Sequence, residues 1–150
     1  MSTAPQVETL RAMEAHLRQA SLPQSPLVRV AIIPDVTREE IADLTYVTIL
    51  PGVPSPEFQA RNALRADQVV DVAIQRALPT ATDASGQVRD LDWHSVAAMM
   101  ELQRALLLAL AQFPRVQKIE GVNSGPKEHA QQGVWTSVYR VTIHGETERW

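Results

Sequence analysis

The stretch Gln68-Val-Val-Asp-Val-Ala-Ile-Gln-Arg-Ala-Leu78 alternates apolar and polar side chains, and Trp135-Thr-Ser-Val-Tyr-Arg-Val-Thr-Ile-His144 does the same near the other end of the chain. Successive side chains of a strand point to opposite faces, so Val70, Val72 and Ile74 look one way while Val69, Asp71, Ala73 and Gln75 look the other. One face is then buried and the other mixed. The two stretches read as partner strands, with a long apolar segment between them that reads as a helix.

That segment has helix punctuation at both ends. Asp92 is placed as an N-cap, Leu91 and Val96 are spaced as a hydrophobic staple, and Pro114 stops the helix after Phe113. At ~1.5 Å per residue it spans about 30 Å. Its first half carries one apolar stripe through Val96, Met99, Met100 and Leu102. In its second half Leu106, Leu107, Leu108 and Leu110 surround most of the circumference, so more than one face must be covered.

Working outward, Val7, Leu10, Met13 and Leu17 predict a helix from about Gln6 to Ala20, which Pro23 and Pro26 prevent from continuing. Val28, Val30 and Ile32 predict a short strand ending at Pro34. Thr37 and Glu40 have capping-box spacing, and Val36 with Ile41 supplies a staple, so a short helix follows. Thr45 to Leu50 is β-branched and aromatic and stops at Pro51-Gly52, a further strand. From Val53 to Asp67, with Pro54 and Pro56, the chain reads as a long connection, and Thr80 to Gly86 reads as a loop. Val116 to Val122 predicts a brief extended piece, Asn123-Ser-Gly-Pro126 a turn, and the last strand ends at Gly145. The expectation is an α+β fold: a mostly antiparallel sheet of about four strands, with an N-terminal helix and one long helix packed on one face. Residues 1–150 form a single domain in this reading. The ends 1–5 and 145–150 are expected to be flexible, unless the tail closing in Trp150 docks on a partner.

A chain of 150 residues buries roughly two thirds of its unfolded surface, enough for a core without staples. Its 45% hydrophobic and 21% charged content argues against disorder, and a net charge of −3 supplies no general attraction for nucleic acid or anionic membrane. There is no cysteine, which excludes disulfides, iron–sulfur clusters and thiol catalysis. The start Met1-Ser-Thr-Ala-Pro-Gln-Val-Glu8 lacks the basic and apolar regions of a signal peptide. Ala105 to Ala111, the longest apolar run, is far short of the roughly 20 residues that cross a bilayer.

Each candidate for chemistry meets a simpler explanation. His16, His94, His129 and His144 have no metal-ligand spacing, and of the acidic cluster Asp35, Glu39, Glu40 and Asp43 three surround a helix start, where negative charge suits the helix dipole. Ser95 beside His94 lacks a nucleophile turn, and Pro51-Gly52 and Gly121 to Gly125 lack a phosphate-binding run. No catalytic residue, no cofactor and no metal are therefore expected. Phe58 close to Arg61 and Arg65 looks instead like a contact surface, since aromatic and arginine side chains dominate interface energetics. Lys127 and Glu128, in the loop from Gly121 to Gly133, and Trp135 at the start of the last strand complete the predicted partner interface.

The order of these parts resembles the small tail terminator or tail completion proteins of tailed bacteriophages. The resemblance rests on the N-terminal helix, the strand ending Val47-Thr-Ile-Leu-Pro-Gly52, the strand Val70 to Gln75, the long helix and the closing Trp135 to Thr142, and runs from about Val28 to Ile143. It implies a homo-oligomeric ring, usually a hexamer, that caps the tail tube and turns its opposite face to the head–tail connector or stopper protein. It also implies a virion tail or neck location after assembly in the host cytoplasm. No cofactor, membrane or sequence-specific nucleic acid is implied, although DNA passes through such a ring. Another neck component, a head completion or stopper protein, fits the same residues. A small enzyme is the remaining class, and needs a pocket where His94, His129 or His144 meets carboxylates.

Overall fold

One continuous strand, β4 (Ala63–Ala77), organises the computed structural model. The structure describes residues 5–31, 45–53, 55–77, 80–82, 88–91, 93–124, 134–145 and 147–149. The second half of β4 runs antiparallel between β2 (Thr45–Pro51) and β8 (Val134–Ile143), with Val72 opposite Ile49 on one side and Tyr139 on the other. Beyond them β1 (Leu27–Val30) lies parallel to β2, and β7 (Val116–Ser124) antiparallel to β8. The order is β1-β2-β4-β8-β7. The first half of β4 carries β3 (Ser55–Ala60) and β9 (Thr147–Arg149), while β5 (Thr80–Thr82) and β6 (Val88–Leu91) form a hairpin of their own.

The class is α+β as expected, but the sheet is mixed and larger than the predicted four antiparallel strands. The parallel β1–β2 pair needs a crossover of a dozen or more residues, and positions 31–44 supply that length. The segment read as a long connection is largely a hairpin: β3 turns at Arg61 and Asn62 into β4. Pro56 does not prevent this, because β3 is paired on one side only among the described residues and an edge strand tolerates proline. Thr80–Thr82 is strand within the predicted loop, and Asn123 and Ser124 belong to β7 where a turn was expected. Within the tail, Thr147–Arg149 pairs with Ala63–Arg65. The short helix expected after Thr37 lies outside the described residues.

Both described helices, α1 (Pro5–Gln19) and α2 (Trp93–Ala111), pack on one face of the main sheet. From α1, Leu10, Met13 and Leu17 enter the core, while Val7 drops out of the expected stripe at 38% exposure. From α2, Met99, Leu102, Leu106 and Leu110 are fully buried against Val47, Ile49, Val70, Val72, Ile74 and Val141. Met100 and Leu108 turn outward. Two polar contacts fix α2 laterally. Gln103 Nε2 donates to the buried Ser137 Oγ at 2.6 Å, and His16 Nε2 donates to the Ala109 carbonyl at 2.7 Å, which also accepts the Gln112 N–H at 3.2 Å. The His16 ring also meets Phe113 edge to face, with centroids 5.3 Å apart.

Tyr139 brings its phenol into this core from β8, and burial raises its pKa above the ordinary 10.0. A group with a raised folded pKa contributes fully below the unfolded pKa and loses that contribution as pH climbs through the folded one. Stability is therefore expected to fall above about pH 10 in wild type. Tyr139→Phe should flatten that fall, as followed by urea midpoints across the alkaline range; an unchanged slope would remove Tyr139 as its cause.

Candidate functional site: an interaction surface

The predicted contact residues do not form one patch. Phe58 pairs with Leu64 across the β3–β4 hairpin, and Arg61 sits exposed at its turn. Arg65 belongs to the same hairpin opposite Glu57, but its guanidinium turns back on the chain, with Nε 3.1 Å from Asp67 Oδ1. Trp135 pairs with Arg76 at the other end of β4, eleven residues from Arg65 and on the order of 35 Å along an extended strand. Lys127 and Glu128 lie outside the described residues. The hairpin thus gathers Phe58, Arg61 and Arg65, and Trp135 belongs to a different region.

Below the hairpin is a close-packed junction where β4 exchanges the partners β3 and β9 for β2 and β8. Asp67 is buried there; its Oδ1 accepts the Gly145 N–H at 3.0 Å and stands at ion-pair distance from Arg65. Gly52 and Gly145 approach β4 too closely for any side chain. A Cβ at Gly52 would lie 2.6 Å from the Val69 carbonyl oxygen, and one at Gly145 would overlap the Ala66 carbonyl. The Gly52 N–H bonds to that Val69 oxygen at 2.8 Å, and its carbonyl accepts from Gln6 of α1 at 2.8 Å. The projecting hairpin is therefore anchored on both sides of the main sheet.

The second surface is the sheet face that neither described helix covers. Across it run Arg29, Tyr46, Thr48, Asp71, Gln75, Thr136 and Arg140 together with the apolar Leu50, Val69, Ala73 and Val138, and Thr48, Leu50, Val69, Ala73, Gln75 and Thr136 are buried. Arg29 lies 5.1 Å over the Tyr46 ring and donates from Nε to Thr48 Oγ1 at 3.1 Å. Arg140 reaches both Asp71 oxygens, at 3.1 and 3.5 Å, and faces Glu120 on β7. The Asp71 hydrogen bond and charge, helped by Glu120, raise the Arg140 pKa. Arg29 Nη2, Gln75 Oε1 and Thr136 Oγ1 are buried here without a hydrogen-bond partner.

His16, His94 and His144 lie on separate elements, and no group of three or more metal-ligating side chains converges among the described residues. No described helix is long and apolar enough to cross a membrane. The mixed face of β4 was legible in the sequence; the Asp67 junction was not, because its partners come from positions 52 and 145, far from it along the chain.

No family model matches the chain, and no curated protein matches it. Among solved structures it is similar to the PVC sheath/tube terminator of an extracellular contractile injection system, in its extended state, seen by cryo-EM. The identity is 17% and the TM-score 0.48, over 97% of this chain and 57% of that one. The chain thus spans little more than half the length of that protein.

Proposed function

We propose that this chain is a structural tail protein that assembles with copies of itself into a ring, closing the end of a tail tube and joining it to the next component of the neck. The observation that carries this reading is the main sheet, which ends in two edges, β1 and β7, that are unpaired among the described residues. Open edges of that kind suit protein contact better than substrate capture. The order of elements that resembles phage tail terminators adds the ring, the hexameric count, the tube and connector or stopper partners, and the virion neck as its place of work. In this reading the protein acts by contact alone, without cofactor or catalysis, and DNA crosses the ring without being read.

The deciding measurement is native mass by light scattering after size exclusion, over a range of concentrations, with and without purified tail tubes. A hexamer, or a monomer that becomes a ring as concentration rises or on the tube end, is the expected result. A strict monomer that ignores tube ends would overturn the ring.

A further inference from the structure

The main sheet ends in two edges that are unpaired among the described residues, β1 and β7. Main-chain groups of alternate residues point to opposite sides of a strand, so a few hydrogen bonds fix which residues offer theirs outward. In β1 the Ala31 N–H bonds to the Ile49 carbonyl at 3.0 Å, so Arg29 and Ala31 turn toward β2 while Val28 and Val30 turn away. On the other side, the Gly52 bond to Val69 shows that the odd-numbered residues of β4 face β2; its even-numbered residues then face β8. Tyr139 and Val141 face β4 in turn, leaving Arg140 and Thr142 facing β7, in phase with the His144 N–H bonded to the Arg115 carbonyl at 2.8 Å. Glu120 and Lys118 therefore bond inward, and Ile119 and Gly121 present their N–H and C=O groups to the outside.

The two edges match. β1, β2 and β8 run one way and β4 and β7 the other, so β7 of one copy meets β1 of the next antiparallel. The outward residues of both edges sit on the same, helix-covered face: Val28 and Val30 are in register with Val47 and Ile49, and Ile119 and Gly121 with Val141 and Tyr139. A joined sheet then keeps the helices of every copy on one side. Neither strand's own pairing demands that agreement. Placing Val30 opposite Ile119 and Val28 opposite Gly121 sets Arg29 opposite Glu120, an opposite-charge pair across the boundary; the Glu120 side chain is 46% exposed and also pairs with Lys118 at 2.7 Å. The same register brings Leu27 beside Val122, both nearly half exposed. By contrast, β1 against β1, in the register that uses both outward residues, opposes Arg29 to Arg29, a like-charge pair.

We infer that copies of this chain join head to tail through β1 of one and β7 of the next, continuing the main sheet across each boundary. The inference rests on the ring reading above and names the surfaces that make it. Val30→Pro and Gly121→Pro test it, since each removes one outward N–H while leaving the chain's own ladder intact, and a Cβ at Gly121 meets nothing within 4 Å. Each variant alone is expected to self-associate at least on the order of tenfold more weakly than wild type in light scattering. An equimolar mixture should form a dimer and stop, because one variant keeps its β7 edge and the other its β1 edge. If circular dichroism shows either proline variant unfolded, Arg29→Glu and Glu120→Arg repeat the test: each alone weakens assembly and the two in one chain restore it. Variants that assemble to wild-type mass would overturn the edge pairing and leave the ring standing. Variants whose mixture stays monomeric would overturn its head-to-tail sense, and a wild type that is monomeric even on tube ends would end both readings.

Discussion

Leu106→Ala lowers the free energy of unfolding by about 3 kcal/mol, whereas Leu108→Ala, two positions on, changes it by less than about 0.5 kcal/mol. Alanine is the better helix former at both sites, so intrinsic propensity favours each variant slightly and cannot produce the difference. Packing produces it. Leu106 is fully buried in the core that α2 forms with the sheet, and the methyl groups it loses leave a cavity that a close-packed interior closes only in part. Leu108 is 57% exposed and leaves nothing behind. For a domain of this size the first variant should lose roughly 6–12 °C in melting temperature. Urea midpoints of the two variants decide the matter: equal losses would mean that α2 presents a different face to the sheet than the one described. A larger effect of Leu108→Ala on native mass than on stability would assign that leucine to a contact between copies.

The same helix shows what can be read from one dimension. The crowding of Leu106, Leu107, Leu108 and Leu110 announces that no single stripe will bury them all, but not which leucine is left over. That depends on where β7 and β8 lie beneath the helix. β4 and β8 were legible because alternating side chains leave their period in the sequence, and Val70, Val72 and Ile74 carry it without interruption, although Val69, Ala73 and Gln75 on the other face of β4 are buried as well. β3 was not, because Pro54 and Pro56 are ordinary loop signals and only the one-sided pairing of an edge strand reconciles Pro56 with a ladder. The parallel direction of β1 was hidden for another reason: direction belongs to the connection at 31–44 and not to the strand's own residues. Among the candidate contact residues, Arg61 is where a partner can meet it. Arg65 looked equivalent in sequence, yet the buried acid two residues ahead recruits it to the fold.

That recruitment makes Asp67→Ala the second large effect, an expected loss of about 2–3 kcal/mol. The substitution removes the carboxylate 3.1 Å from Arg65 Nε, a side chain only 19% exposed, and the acceptor of the Gly145 N–H. Breaking a buried pair from one side costs more than the pair contributes, because the remaining charge stays desolvated; the residual exposure of Arg65 keeps the loss at the low end. Asp71→Ala is the matched control. Its partner Arg140 is 45% exposed, and solvent screening limits such an ion pair to about 0–1 kcal/mol while added salt reduces it further. Denaturant midpoints at low and high salt separate the two, with Asp67→Ala large and nearly salt-independent and Asp71→Ala small and salt-sensitive. Asp67→Asn should fall between wild type and the alanine variant, since the amide oxygen can still accept from Gly145 while the charge is gone. Equal losses for Asp67→Ala and Asp71→Ala would mean that the junction is as wet as the surroundings of Arg140, and the β3–β4 hairpin that carries Arg61 would then have no rigid base from which to meet a partner.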